Sequence, residues 1–208
     1  RMCLSEGEAQ FVAMAHQTRA AGGKIEELTS EMFDDLFGEI LTGGTGSLVY
    51  ELGGKFALHR WQQDGWPAVR GMFEDPPSST EQILHLEKLG KDVPRDVPLP
   101  EWPDSEPDAT LLVDQVMGEL DTYVAMRSAG VDHESARVAA AGWDGDRVRV
   151  YETSRGEHAV IWRTVWDREE DAYQFYAALA ELGDGDWRVS GHVVDWVRAV
   201  DGRLGGIL

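Results

Sequence analysis

Cysteine is almost missing from this chain. Cys3 is the single one in 208 residues, so no intrachain disulfide forms and no thiolate metal cluster can be built. Basic residues are scarce as well: 19 Lys and Arg stand against 38 Asp and Glu, a formal net charge of −19. A surface of that sign repels phosphate backbones and anionic bilayers, which argues against nucleic acid as a partner. No apolar run approaches the roughly 20 residues of a bilayer crossing, so membrane insertion is not expected. No secretory leader is visible. The chain opens on Arg1 rather than Met, which reads as an excision point and leaves the compartment of a longer parent open. Phosphate-loop chemistry is missing too, because Gly43-Gly44-Thr45-Gly46 lacks the Lys-Ser/Thr that must follow. There is no dinucleotide fingerprint, no nucleophile triad and no internal repeat.

What is present supports a folded core. Apolar residues make up 42% of the chain, and the acidity serves solubility, salt tolerance or cation binding. Residues 5 to about 21 read as a helix, with Ser5 and Glu8 as a capping box and Gly22-Gly23 as the stop. Apolar spacing of three and four predicts a second helix from about Ile25 to Leu41 and a third from Ser47 to Gln63. Gly53-Gly54 inside the third costs ~1 kcal/mol per glycine against alanine, so a close helix contact or a kink is expected there. Gly65-Trp66-Pro67 reads as a turn, and a short helix follows to Glu74. Ser78 and Glu81 suggest a second capping box for a helix ending near Leu89. The proline-rich stretch 90–108 reads as extended surface chain, tethered through Val93, Val97, Leu99 and Trp102. Thr110 to Ala129 reads as helix, and Asp132 caps another that ends at Gly142.

From Trp143 the period changes to two. Arg147–Tyr151 and Ala159–Trp166 read as strands around a turn at 154–157, and residues 168–182 as an amphipathic helix. Trp187–Val200 and Arg203–Leu208 read as a last strand pair around Asp201-Gly202. The expected class is α+β: a helical subdomain over 1–142, then a small antiparallel sheet with one packed helix, β-β-α-β-β, over 143–208.

The stretch Leu4-Ser5-Glu6-Gly7-Glu8-Ala9 offers two carboxylates at a helix start. Glu8 serves the cap, and Glu6 suits the helix dipole. The stretch also resembles the E-G-x-A segment of gluzincin-type zinc metallopeptidases, whose Glu is the third zinc ligand. Gly65-Trp66-Pro67-Ala68-Val69, Ser79-Thr80-Glu81-Gln82-Ile83-Leu84-His85 and Ala139-Ala140 with Gly142-Trp143 extend a resemblance to uncharacterised bacterial zincin-like proteins. The resemblance implies a secreted or envelope-associated parent, with a cytoplasmic location still open, Glu6 as a zinc ligand and a peptide or protein substrate. His85 and Tyr50 would then be catalytic contacts near the oxyanion. The H-E-x-x-H helix that supplies two zinc ligands and the base is absent. His133-Glu134-Ser135-Ala136-Arg137 places Arg where a ligand is needed, and it reads as the start of a surface helix. The expected function is therefore the C-terminal portion of a metallopeptidase-related protein. It would be inactive as this chain alone, with zinc bound only in a longer parent. The alternative is a non-catalytic protein- or peptide-binding module.

Several candidates also have structural readings. His85 suits a half-buried, backbone-bonded histidine, Tyr50 suits packing, and His16 and His59 suit the surface. Asp144-Gly145-Asp146 and Asp184-Gly185-Asp186 raise calcium, but they lack the further ligands of a calcium loop and read as turns. Trp143, Trp162, Trp166, Trp187 and Trp196 read as packing between helix and sheet, or as the lining of an aromatic groove.

Overall fold

The computed structural model describes residues 2–34, 46–100, 102, 108–180 and 185–199. It is α+β, with a helical N-terminal region followed by a five-stranded antiparallel sheet. The chain divides into two compact units, residues 1–78 with 82–92, and residues 79–81 with 93–208. Residues 110–142 thus group with the sheet.

In the helical unit, α1 (Met2–Ala20) packs along α3 (Gly46–Glu74). The close helix contact expected at Gly53-Gly54 is present. A Cβ on Gly53 would lie 2.0 Å from the Cys3 carbonyl oxygen, and one on Gly7 would lie 2.0 Å from the Gly53 carbonyl carbon. A Cβ on Gly54 would strike the Phe33 ring at 2.5 Å. Only glycine allows backbones to approach so closely. Around the crossing, Leu4, Phe11, Phe33, Phe56, Val69 and Met72 form the core. α3 breaks at Asp64 and at Gly65, whose φ of +61° needs no Cβ, so the expected Gly65-Trp66-Pro67 turn is there. α1 begins upstream of Ser5, and the Ser5 hydroxyl donates back to the Met2 carbonyl instead of capping. The second helix starts later than its apolar spacing suggests. A 3-10 turn (Ile25–Glu27) and α2 (Glu31–Asp34) are described, and the rest of that expected helix lies outside the described residues.

α4 (Glu81–Leu84) is a single turn, and the 3-10 turn Leu86–Lys88 follows it. The cap at Ser78 is made by Gln82 rather than Glu81: the Ser78 amide donates to Gln82 Oε1 at 2.9 Å.

In the sheet unit the strand order is β1-β2-β3-β5-β4. The strands are β1 (Thr110–Gln115), β2 (Trp143–Glu152), β3 (His158–Trp166), β4 (Asp186–Ser190) and β5 (Val193–Ala199). Two differences from the sequence reading matter. Thr110–Gln115 is a strand, and the helix α5 (Gly118–Ser128) starts only after it. Leu112, Val116, Leu120 and Val124 are spaced by four across that junction and imitate one helix. Pairing of β1 with β2 overrides the pattern. The last hairpin among the described residues turns at Gly191-His192, within the segment read as one strand, because Gly191 has a φ of +57°. Asp201-Gly202 lies outside the described residues.

One sheet face carries α5, α6 (His133–Ala140) and α7 (Glu169–Ala180). Met126, Ala136, Ala139, Trp143, Trp162, Trp166 and Phe175 fill the layer between them. Trp143 and Trp166 are fully buried. Trp187 and Trp196 pack at its border, with ring centroids 5.7 Å apart. The tryptophans are thus packing residues. The other face carries Tyr151, Ala159, Ile161 and Val197 under the extended segment, where Leu99 and Trp102 dock. Val97 is buried as expected, whereas Val93 is exposed.

Candidate functional site

Of the three residues singled out from the sequence, the structure brings two together. Glu6 on α1 meets Tyr50 on α3 because Gly7 and Gly53 let those helices touch. The Tyr50 hydroxyl donates to the Glu6 carboxylate; that bond first, and the adjacent negative charge second, raise the phenol above its ordinary pKa. His85 is on a separate element. It is the residue between α4 and the following 3-10 turn, not the middle of a helix, and its Nδ1 lies 3.9 Å from Glu87 Oε1. Gly7, the glycine of the E-G-x-A resemblance, thereby has a packing role of its own.

The imitation of H-E-x-x-H is a surface helix, as expected. Asp132 caps α6 by accepting from the Ser135 amide at 3.0 Å. Arg137 clamps Glu134 of its own motif with two bonds, of 2.6 and 3.1 Å.

Asp144 and Asp146 are not turn residues but part of β2, at a bulge between Trp143 and Gly145. Asp144 binds the Arg95 guanidinium at 2.6 Å. Asp146 is 1% exposed and accepts from four N–H groups: the Met117 and Gly118 amides and the Trp143 and Trp162 indoles. Burial raises its carboxyl above the usual aspartate value, and the four donors oppose that rise. With both carboxylates turned to N–H donors, this run serves as a junction that fixes the start of α5. Thr80 assists by accepting from the Leu120 amide at 3.2 Å. Sequence reasoning missed this node because, beyond the neighbouring Trp143, its donors come from two distant segments. In the second acidic run, Asp184 lies outside the described residues and Asp186 opens β4.

Residues 110–204 match the family described as a domain of unknown function, DUF8575. No curated protein and no solved structure matches the chain. The matched span begins at β1 and takes in all five described strands with α5, α6 and α7.

The outer face of this sheet holds the larger of two cavities of interest. A groove of about 650 Å³ runs between the segment 95–98 and strands β3, β5 and β4. Arg95, Arg163 and Arg188 line it with Asp96, Asp195, Ser190 and the aliphatic side chains of Val97, Val165 and Val193. Arg163 binds Asp195 through both oxygens, at 2.5 and 3.1 Å, and donates to the Pro98 carbonyl at 3.1 Å. One guanidinium thus fastens the extended segment to the sheet and forms the groove floor. None of these arginines is signalled by a local motif, since register alone brings Arg163, Asp195 and Arg188 into one row.

The helical unit has a smaller cavity of about 390 Å³, with Ser30, Lys55, His59 and Gln62 around Leu52, Phe56, Ile83 and Leu86. His59 read as a surface residue from sequence. Here it is half-buried, and burial, then Arg60, lowers its pKa. Its imidazole is neutral at neutral pH.

Proposed function

We propose that the sheet unit is a non-catalytic module that binds a protein or peptide in the groove on its outer face. The observation that carries this reading is the lining itself: guanidiniums held in place by aspartates beside aliphatic side chains, in a groove open to solvent. Such a surface offers recognition by hydrogen bonds and apolar contact. It sets out no nucleophile with a base beside it. Selection of randomised displayed peptides on the immobilised chain tests the reading. Enriched peptides should lose binding to a Val193→Lys variant. Peptides that bind wild type and variant equally would contradict it.

A second reading is favoured by the meeting of Glu6 and Tyr50. In it the chain is the C-terminal part of a secreted or envelope-associated zincin-like parent and is inactive alone. Glu6 supplies one of the three protein ligands that a zinc site needs, so this pair does not by itself fit the metal, and the parent must bring the rest. Calorimetric zinc titration of the chain and of a parent carrying an upstream H-E-x-x-H decides it. Tight binding by the parent that is lost in Glu6→Gln supports the reading, and the same affinity in that variant sinks it.

A further inference from the structure

We propose that the groove is a binding site for a monocarboxylate whose acid group adjoins a compact aliphatic body. The inference rests on the module reading above and gives the chemistry of its ligand.

Charge within the groove is the first ground. The lining carries three arginines against two aspartates, in a chain with twice as many acidic as basic residues. Most of that positive charge is already used: Arg95 pairs with Asp144, and Arg163 takes both oxygens of Asp195. Arg188 stands opposite Asp195 in the β4–β5 register, next to a carboxylate whose two oxygens both accept from Arg163. Among the described residues Arg188 forms no ion pair and no hydrogen bond, and it is exposed. A guanidinium has five N–H donors in a planar fork that fits a carboxylate with two parallel bonds.

The valence of the anion follows. Arg188 offers one guanidinium fork, which takes one carboxylate. Asp96 in the lining and the net −19 of the chain oppose a dianion such as phosphate. The rest of the wall settles the body of the ligand. Val165 and Val193 are register partners, and with Val97 they form an aliphatic surface beside Ser190. A volume of about 650 Å³ lies within the range of small-ligand sites. The free C-terminus of a peptide ending in an aliphatic residue has this chemistry, and so does a short branched-chain acid.

The test is a methyl and side-chain N–H NMR titration of the full chain with isovalerate, isovaleramide and inorganic phosphate, repeated on Arg188→Gln. Arg188 is exposed, so this variant keeps the fold. Isovalerate should give saturable shifts at the Arg188 Nε–H and the Val165 and Val193 methyls. Isovaleramide should bind at least about tenfold more weakly, as should isovalerate on the variant, that being the scale of one charge-assisted hydrogen bond. Equal binding of acid and amide overturns the carboxylate inference and leaves the groove as an apolar docking surface. Phosphate binding as tight as isovalerate overturns the monoanion assignment. Absence of saturable shifts with isovalerate also overturns the inference, while the module reading is decided separately by the peptide selection.

Discussion

Gly53→Ala should destabilise the helical unit, although alanine is the better helix former. In an open helix the change gains ~1 kcal/mol. Here the new Cβ would sit 2.0 Å from the Cys3 carbonyl oxygen and 2.8 Å from the Gly7 Cα. Both obstacles are backbone, so the helices must part by more than about 1 Å to restore van der Waals contact. Overpacking of this kind costs ~1–3 kcal/mol, and the rigid obstacle places Gly53 at the upper end. The net loss is then about 2 kcal/mol. Gly71 supplies the control. It lies in the same element, a Cβ there meets nothing within 4 Å, and its φ is not positive. Gly71→Ala should gain roughly 0.4–1 kcal/mol. Urea unfolding followed by far-UV circular dichroism reads both, with midpoints compared at equal slope. A Gly53→Ala protein as stable as wild type, or more so, would refute the backbone crossing of α1 and α3.

Asp146→Asn should lower the stability of the sheet unit by at least ~2 kcal/mol, because an NH2 replaces one of the two oxygens that between them accept from four N–H donors; tryptophan fluorescence should report it through Trp143 and Trp162. Asp114 sits between Arg147 and Arg149, and its bond to Arg147, before all other causes, holds its pKa below the usual value. The stabilisation it gives is therefore in place above the unfolded value of about 4 and is lost as pH falls through the lower folded value; Asp114→Asn should flatten that part of an acid-unfolding curve. Glu6→Gln should return the raised Tyr50 ionisation toward the ordinary phenol range, read by alkaline ultraviolet titration against Tyr50→Phe. Burial pushes the Cys3 thiol up to about 11, so alkylation at mildly alkaline pH should be slow in the folded chain and fast after denaturation.

Local chemistry was legible in the sequence wherever it acts within a few residues. The break at Gly65, the cap at Asp132, the β2–β3 hairpin and the packing role of the tryptophans all follow from such signals. The strand Thr110–Gln115 was not legible, since its apolar residues keep helical spacing into α5. The one mark of the junction is Gly118, whose φ of +85° no other residue adopts easily and whose Cβ would meet Thr80 Oγ1 at 2.6 Å. The pairing of Glu6 with Tyr50 needed the crossing of two helices, although each residue had been singled out separately. The Asp146 node and the Arg163–Asp195–Arg188 row join residues far apart in the chain, and only tertiary register assembles them. Ser5 misled because a capping motif is indistinguishable from an interior helical turn when the helix starts upstream.

The central claim, that the outer sheet face is a recognition surface, is tested most directly by an unbiased fragment screen with methyl NMR on the full chain. Saturable shifts should concentrate on Val97, Val165 and Val193, with the Arg188 Nε–H moving for acidic fragments. Hits confined to the cavity around His59, or a groove silent to every fragment, would contradict the claim.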